Sequence, residues 1–276
     1  MRIDLRLTLL LMTICLMAAC THTRDPLADW LGERRSESYR PPAAADTTAL
    51  AAAFDAALRD DARAHWAALG YESRSFDEGT AVREAAPVAR GWGAYVFRTG
   101  PAAALVIQAP HVDSDLLTGE IALSVYRARR ARVLALSTAH RRLPGADQAN
   151  AAGAPFSLLA IEAVAREPGT AIVQLHGYGE ATARKHALSP DSVVISNGTE
   201  RPDPALRALA GCLRTAGFNA RVFPEQAPYP GGTRNAVRRA IAERSAGRFV
   251  HLELGRRLRD ELVRDPQRVE AFAACL

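Results

Sequence analysis

The sequence predicts a single α/β domain built on one mixed, mostly parallel sheet with helices on both faces. Short apolar runs typical of strands alternate with longer helical patterns through most of the 276-residue chain. The apolar runs are nearly continuous rather than alternating, which indicates strands that are covered on both faces. The chain is 48% hydrophobic and shows no internal repeat, so one large core is expected rather than two.

The individual elements follow from the spacing of apolar residues along the chain. A first helix is predicted over 47–69, where apolar residues recur at every fourth position from Leu50 until Gly70 stops the pattern. Seven strands and five further helices come after it. The strands are predicted at Ala94–Arg98, Ala104–Gln108, Val133–Ser137, Ala171–Leu175, Ser192–Ser196, Ala220–Phe223 and Phe249–Leu252. The helices are predicted at 119–131, 155–167, 203–216, 233–246 and 255–273.

The net charge of +5 does not indicate a nucleic-acid partner. Nearly all of the positive charge is arginine, Lys185 being the only lysine, and the arginines are interspersed with acidic residues. The one dense arginine cluster, at 127–132, falls at a predicted helix end, where cations suit the helix dipole. We therefore expect no nucleic acid among the partners.

The first twenty residues read as a bacterial lipoprotein signal peptide. An arginine-bearing start precedes an apolar stretch over 7–17 that is too short to span a bilayer comfortably. The following LMAAC resembles a lipobox, which implies that Cys20 is lipidated and anchors the protein to a membrane. Thr21 follows where an aspartate would favour retention in the inner membrane. We expect a cell-envelope location, at the outer membrane and facing the periplasm, with plain secretion as the alternative.

The mature chain then divides into a flexible tether over 21–46, which is polar and contains PLADW, RRSESYR and PPAAAD, and an α/β catalytic domain over 47–276. Cys212 and Cys275 would both lie in an oxidising compartment, where they form either a disulfide or two buried free thiols.

Chemically capable residues fall at the carboxyl ends of the predicted strands. His111, His140 and His176 each follow a strand, and Glu253 lies near the end of another. In open α/β sheets, ligands bind in the crevice outside the carboxyl ends of the strands. A loop or capping role is the simpler interpretation of any one of these histidines, but three at equivalent strand ends favour a shared site.

Two imidazoles and one carboxylate form a common ligand set for a catalytic zinc ion. His111 and His176 can supply the imidazoles, and the carboxylate has to come from the turn after His111. The candidates are Asp113, which tends to point away, Asp115, which can fold back in a compact turn, and Glu120, which also suits a helix start.

The segments APHVDSDLLTG, LHGYG and HLEL followed by LRD resemble the phosphorylase/hydrolase-fold amidohydrolases. That group includes zinc carboxypeptidases, N-formylglutamate amidohydrolases and phage poly-γ-glutamate hydrolases. The chain most resembles a group of uncharacterised bacterial lipoproteins. Over roughly residues 95–262 the resemblance implies a Zn²⁺ site formed by His111, Asp115 and His176, with Glu253 as general base. Ser114 departs from the H-x-x-E pattern of the zinc carboxypeptidases.

A substrate carboxylate would call for an arginine, whose planar fork binds carboxylates through two hydrogen bonds. We expect Arg234 to bind substrate, with Asn235 beside it, after a PYPGGT loop that could act as a lid. Thr233 could instead simply begin a helix and leave Arg234 exposed. Arg259 is a further candidate for substrate binding, and Arg141 and Arg142 are alternatives on the same ground.

Three further polar residues have open roles. His140 is a candidate for orienting substrate or stabilising an oxyanion, or it only caps its strand. Asp147 either faces the same crevice or only shapes its loop. His251 shares a strand face with Glu253, and a packed core histidine is favoured over a partner of the site.

These residues predict a zinc-dependent amidohydrolase or peptidase of the bacterial envelope. Its expected substrate is an amide bond in a small peptide-like or cell-wall-derived molecule. A lipid-anchored binding protein without turnover is the alternative, followed by a structural lipoprotein with incidental histidines. A binder could dispense with Glu253, whereas an enzyme could not. The sequence contains neither a G-x-S-x-G elbow nor a phosphate-binding glycine loop after a strand.

Overall fold

A computed structural model describes residues 25–33, 35–60, 63–87, 89–244 and 247–276 of the chain. Within these ranges the strands are β1 Tyr71–Phe76, β2 Gly79–Glu84, β3 Ala94–Phe97, β4 Ala103–Ala109, β5 Ala131–Leu136, β6 Ala171–Tyr178, β7 Ser192–Ser196, β8 Asn219–Val222 and β9 Arg248–Gly255. The helices in the same ranges are α1 Pro26–Gly32, α2 Ala44–Leu58, α3 Arg63–Ala68, α4 Thr118–Ala128, α5 Pro155–Arg166, α6 Glu180–Lys185, α7 Pro204–Thr215, α8 Ala236–Ala242, α9 Arg256–Arg264 and α10 Pro266–Ala274.

All nine described strands belong to one sheet, in the order β1-β2-β3-β5-β4-β6-β9-β7-β8. The centre is parallel, since β4 pairs in parallel with β5 and β6, and β6 with β9. The β1, β2 and β3 edge is antiparallel, and β7 runs antiparallel to β9. The predicted single α/β domain with a mixed, mostly parallel sheet is confirmed.

The strand order reverses beside β4. After β4 the chain crosses to β5 on one side of it, and it then returns to form β6 on the other side. Loops leaving the carboxyl ends of β4 and β6 therefore diverge and leave a crevice between them. His111 follows β4, and His176 lies near the end of β6, so this switch point brings the two histidines together.

Both faces of the sheet carry buried apolar cores. On one face α2, α5 and α8 contribute buried side chains such as Phe54, Phe156 and Val237. On the other face α4, α7, α9 and α10 contribute residues such as Tyr126 and Phe272. This two-sided burial explains why the central strands are continuous apolar runs.

The segment before residue 47 is not a flexible tether throughout. Asp25 caps α1 by accepting a hydrogen bond from the backbone N–H of Ala28, and Leu27, Trp30 and Leu31 are buried against the core. The helix packs because three large apolar side chains in PLADWL share its inner surface. The tether prediction therefore does not hold for residues 25–33. Cys20, its proposed lipid and the signal peptide at 1–20 lie outside the described residues.

Several elements differ from their predicted form. The helix predicted over 47–69 is divided into α2, which ends at Leu58, and α3, which spans Arg63–Ala68. The β1–β2 hairpin was not predicted, because YESRSF and GTAVRE are polar or mixed and β1 is mostly exposed. The predicted helix over 255–273 is split, since Asp265 caps a new helix and Pro266 starts it. β6 extends to Tyr178, so His176 lies within the strand and not after it.

A disulfide joins Cys212 in α7 to Cys275 beside the C-terminus. Of the two predicted states of these cysteines, the structure therefore adopts the bonded one. In the described ranges, no helix combines the length and the apolar character required to cross a membrane.

Candidate metal centre

The turn after β4 brings an aspartate back to the histidine that starts it. The backbone N–H groups of Ser114 and Asp115 both donate to the carbonyl of His111, at 3.0 and 2.8 Å. Thr118 closes the turn by donating its hydroxyl to the carbonyl of Asp115 at 2.7 Å. One helical turn thus separates His111 from Asp115, and side chains four residues apart then lie on the same side.

The other two acids of this turn point elsewhere. Asp113 accepts a hydrogen bond from Arg35 Nε at 3.0 Å. Glu120 is exposed in the first turn of α4, where the helix dipole favours a carboxylate. Of the three candidate carboxylates, only Asp115 reaches both histidines.

His111, Asp115 and His176 form a compact, buried cluster of three potential metal ligands. His111 Nδ1 lies 3.1 Å from His176 Nδ1 and 3.3 Å from Asp115 Oδ2. The same aspartate oxygen lies 3.6 Å from His176 Nδ1. Ligands at about 2 Å from a tetrahedrally coordinated ion stand about 3.3 Å apart, so these spacings fit a single small cation.

The outer nitrogen of each histidine has a hydrogen-bond partner. His111 Nε2 lies 2.8 Å from Asp147 Oδ1, and His176 Nε2 lies 3.1 Å from Gln174 Oε1. Metal-binding histidines in proteins are held by such partners, which leave the inner nitrogen free to coordinate. The chemistry of the donor set therefore fits a bound metal ion.

The charges around the cluster favour a deprotonated Asp115 and a neutral His176. Burial opposes ionisation of Asp115, but the neighbouring rings of His111 and His176 outweigh it and hold its pKa well below the usual range. Burial lowers the pKa of His176 to about 4, and the nearby ring of His251 adds to this. His111 is different, because hydrogen bonds to Asp115 and Asp147 overcome its burial and raise its pKa.

The cluster lies at the base of a cleft of about 370 Å³. His251 and Glu253 continue the cleft wall from β9, and Glu253 is the direct cross-strand neighbour of His176. His251 Nε2 lies 3.3 Å from Glu253 Oε1. A carboxylate held by a histidine next to the ligand cluster is well placed to act as a base toward a molecule in the cleft.

No family model matches the chain, and no curated protein matches it. Among solved structures, it is similar to a bacteriophage poly-γ-glutamate hydrolase at 16% identity, covering 66% of this chain and 85% of the other, with a TM-score of 0.41. It is also similar to N-formylglutamate amidohydrolase from Ralstonia eutropha JMP134 at 15% identity, covering 66% and 96%, with a TM-score of 0.43. A third similar structure is the zinc-free form of YndL, at 15% identity, 66% and 84% coverage and a TM-score of 0.38.

The first two are kinds of protein that the sequence motifs resemble. At this distance the likeness describes an arrangement of strands and helices and assigns no role to a residue. The ligand geometry of His111, Asp115 and His176 stands on its own distances.

The residues predicted to bind substrate occupy different positions. Arg234 is exposed and lines the cleft, and its contact with substrate stays a prediction. Asn235 also lines the cleft but is 1% exposed, caps α8 through its Oδ1 and donates its Nδ2 to Gln174. Its structural roles are thus already assigned, and its contact with substrate stays a prediction.

His140 does not face the crevice with the other two histidines. Its Nδ1 accepts a hydrogen bond from the backbone N–H of Arg142 at 3.1 Å, and its side chain is not among those described around the cleft. Arg141 points inward instead, with Nη1 at 3.0 Å from His111 Nδ1 and Nη2 at 3.3 Å from Asp147. His140 and Arg141 begin a turn that the backbone N–H of Leu143 closes on the carbonyl of His140 at 3.0 Å, and this turn separates the directions of the two side chains.

Arg259 lies beneath the cluster, outside the described cleft lining. It is 4% exposed, and its Nη2 donates to the carbonyl of Tyr178 at 3.4 Å. Among the described residues, its Nε and Nη1 have no hydrogen-bond partner. Burial lowers the pKa of Arg259, and the charges of Asp115 and Glu253 act in the opposite direction. The guanidinium balances those carboxylates, and its predicted contact with substrate stays a prediction.

Sequence reasoning missed the outer partners of the two histidines. For Asp147 the sequence left two roles open, facing the crevice or shaping its loop, and neither was a contact with His111. Gln174 was predicted only as part of an apolar strand. A signal was present, because glutamine at position i−2 to His176 shares its strand face. His251 was favoured as a core residue, and it is buried, but it also lines the cleft.

Proposed function

We propose that the protein is a zinc-dependent amidohydrolase or peptidase of the bacterial envelope that cleaves an amide bond in a small peptide-like or cell-wall-derived substrate. The observation that carries this proposal is the buried cluster of His111, Asp115 and His176 at the base of an open cleft, with Glu253 beside it. A catalytic zinc ion is commonly bound by three protein ligands, such as two imidazoles and one carboxylate, and keeps one coordination position open for water or substrate.

His111, Asp115 and His176 would hold the ion through Nδ1, Oδ2 and Nδ1. A zinc ion bound there supplies a Lewis acid that polarises a carbonyl and activates water. Glu253 takes a proton from the attacking water and returns it to the nitrogen of the leaving amine. Its Oε1 is engaged with His251, so Oε2 is the atom that we assign to this transfer.

The rim of the cleft favours an anionic substrate. Arg234 and Arg141 both line it, and their side chains reach solvent. A carboxylate on a small peptide-like molecule can pair with the exposed guanidinium of Arg234 through two hydrogen bonds, whereas Arg141 already contacts His111 and Asp147. The narrow volume of about 370 Å³ suits a substrate of that size.

The envelope location rests on two independent features. The sequence resembles a lipoprotein signal ending at Cys20, and the disulfide between Cys212 and Cys275 is of a kind that persists in oxidising compartments. Attachment to the outer membrane through Cys20 is part of the same proposal. Labelling with a lipid precursor in wild type and Cys20→Ser tests it, and equal labelling of the two would contradict it.

The function is tested by combining metal analysis with hydrolysis assays on the purified mature protein. We expect about one zinc per chain, lost in His176→Ala, and hydrolysis of some members of a panel of N-acyl amino acids and γ-glutamyl peptides. Glu253→Gln should keep the metal but lose about 10²- to 10⁴-fold in turnover. The exposed carboxylate of Glu180 gives the matched control Glu180→Gln, which should retain both.

Two results would contradict the proposal. Absence of stoichiometric zinc under conditions that do not strip it would exclude the metal mechanism. Full activity in Glu253→Gln would exclude the assigned base. Tight binding of a substrate without any turnover would favour a lipid-anchored binding protein on the same fold.

A further inference from the structure

A chain of buried side-chain amides leads from the protein core to His176. Gln108 on β4 and Gln174 on β6 are both 0% exposed and are direct cross-strand neighbours. Gln174 Nε2 donates to Gln108 Oε1 at 2.8 Å, and Gln108 Nε2 donates to the carbonyl of Phe156 at 3.1 Å. Gln174 Oε1 then faces His176 Nε2 at 3.1 Å.

The donor-to-acceptor direction along this series of amides is fixed at the end where Gln108 meets the carbonyl of Phe156. A backbone carbonyl can only accept, so the carbonyl of Phe156 requires the NH₂ group of Gln108 to face it. The oxygen of Gln108 must then face Gln174, which turns the NH₂ group of Gln174 toward Gln108. The oxygen of Gln174 is left to face His176.

Asn235 fixes the same direction independently. Its Oδ1 accepts a hydrogen bond from the backbone N–H of Arg238 at 3.2 Å, and a backbone N–H can only donate. The NH₂ group of Asn235 therefore points the other way, and it donates to Gln174 Oε1 at 2.6 Å. Two backbone groups in different elements thus give Gln174 the same orientation.

An oxygen facing His176 Nε2 requires that nitrogen to carry the hydrogen. In the neutral ring the other nitrogen, Nδ1, then bears the lone pair. Nδ1 is the atom that lies 3.1 Å from His111 Nδ1 and 3.6 Å from Asp115 Oδ2. The amide chain therefore presents His176 to the ligand cluster as an acceptor ready for a cation.

We propose that Gln108, Gln174 and Asn235 are positioning residues that fix His176 as its Nε2–H tautomer before any metal binds. The link to a metal rests on the proposed function, but the tautomer itself does not. A protonated Nδ1 would point a hydrogen into the cluster and oppose a cation there. Loss of such an outer partner lowers metal affinity by about 10- to 100-fold.

The test reads the tautomer directly in the metal-free, ¹⁵N-labelled protein at neutral pH by long-range ¹H–¹⁵N correlation of the imidazole rings. The signals of His176 are identified by their loss in His176→Asn. We expect the Nε2–H tautomer in the wild type and a mixed or reversed tautomer in Gln174→Met. Gln174→Glu keeps an acceptor for His176 and should restore the Nε2–H form.

Zinc affinity is measured on the same proteins by competition with a chelating indicator. We expect the dissociation constant to rise about 10- to 100-fold in Gln174→Met and much less in Gln174→Glu. The second variant combines Gln108→Met with Asn235→Ser, because either Gln108 or Asn235 alone still orients the amide of Gln174, and a serine at position 235 still caps α8. It serves if Gln174→Met does not fold, as judged by circular dichroism, and it should also shift the tautomer.

An Nδ1–H tautomer in the wild type would overturn the proposal. So would Gln174→Met, or the double variant Gln108→Met, Asn235→Ser, if it folds and leaves the tautomer of His176 unchanged. If the wild type shows the Nε2–H form but binds no zinc, the proposed function fails while the tautomer assignment stands.

Discussion

At the scale of single residues, the ligand cluster combines two histidines with opposite electrostatic settings. His176 is surrounded by strand backbone, amides and the ring of His251, so burial dominates and its pKa falls to about 4. His111 touches two carboxylates, which raise its pKa despite similar burial. These opposite shifts give the two residues distinguishable contributions to stability.

His176 should make the metal-free protein less stable as the pH falls. Between pH 7 and pH 5 the unfolded chain binds a proton at this residue, near its ordinary pKa of about 6.5, whereas the folded protein does not. Stability is therefore lost as the pH drops from about 6.5 toward 4. In a chelating buffer we expect the unfolding free energy to fall by about 2 kcal/mol more in the wild type than in His176→Asn.

Urea unfolding of the two proteins at pH 7 and pH 5 provides the measurement. The contribution of His111 has the opposite sign, because its raised pKa stabilises the folded state at low pH and this is lost as the pH rises. It is measured separately in the variant His111→Asn, because His111 contacts His176 and the two contributions are not independent. Equal pH dependence in wild type and His176→Asn would show that His176 is not buried as a neutral ring.

Asp147 should control metal affinity without being a ligand. It holds His111 Nε2 at 2.8 Å, and hydrogen bonds from His111 lower its pKa more than burial raises it. Asp147→Asn keeps the shape but removes the charge, so we expect zinc affinity to fall by about 10- to 100-fold in chelator competition. Asp113→Asn is the matched control from the same region, because Asp113 pairs with Arg35 and should leave the affinity unchanged.

At the scale of secondary-structure elements, the reversal of strand order beside β4 determines where chemistry can occur. A row of buried polar side chains crosses four strands on one face at this level, consisting of Gln108, Gln174, His251 and Ser196. Direct cross-strand neighbours lie on the same face, so one row supplies both a wall of the cleft and the support of His176.

Gly177 in the LHGYG segment has a steric role in this region. A Cβ atom at this position would lie 1.3 Å from Arg259 Nη1, and that guanidinium is buried. We expect Gly177→Ala to displace Arg259 and to lower the unfolding free energy by about 1–3 kcal/mol. Gly179→Ala is the control two residues later, because no atom lies within 4 Å of its Cβ position. Equal stability of the two variants by chemical denaturation would contradict this packing.

The sequence predicted the central strands and the residues at their carboxyl ends, because these strands are buried on both faces and run in one direction. Central strands covered on both faces appeared as apolar runs, and their carboxyl ends carried His111, His176 and Glu253. Asp115 could be favoured because a four-residue spacing closes in one turn. The sequence was uninformative where tertiary packing decides, as for the polar hairpin β1–β2, the inward Arg141 beside an outward His140, and α1 within the supposed tether.

At the scale of the whole molecule, the disulfide closes a large part of the chain. Cys212 and Cys275 are separated by 63 positions, and the enclosed segment contains β8, α8 and β9 with Glu253. Restricting a loop of this length in the unfolded chain is worth up to about 4 kcal/mol in the chain-entropy account. The bond therefore stabilises the folded state relative to the unfolded chain.

Removal of this bond should lower stability without rearranging the cleft. We expect the double variant Cys212→Ser, Cys275→Ser to melt at a lower temperature than the wild type, measured by circular dichroism. A reducing agent should lower the melting temperature of the wild type and leave that of the double variant unchanged. Identical melting of wild type and double variant would show that the bond does not form in solution.

The packed helix α1 also sets how far the domain could stand from a bilayer. If Cys20 carries the lipid, as proposed, only five residue steps separate it from Asp25, a leash of at most about 18 Å. Asp25 pairs with Arg127 at the end of α4, where the central strands begin, whereas the cleft opens at the opposite pole of the sheet. In such a protein the cleft would open on the side of the domain away from the point of lipid attachment.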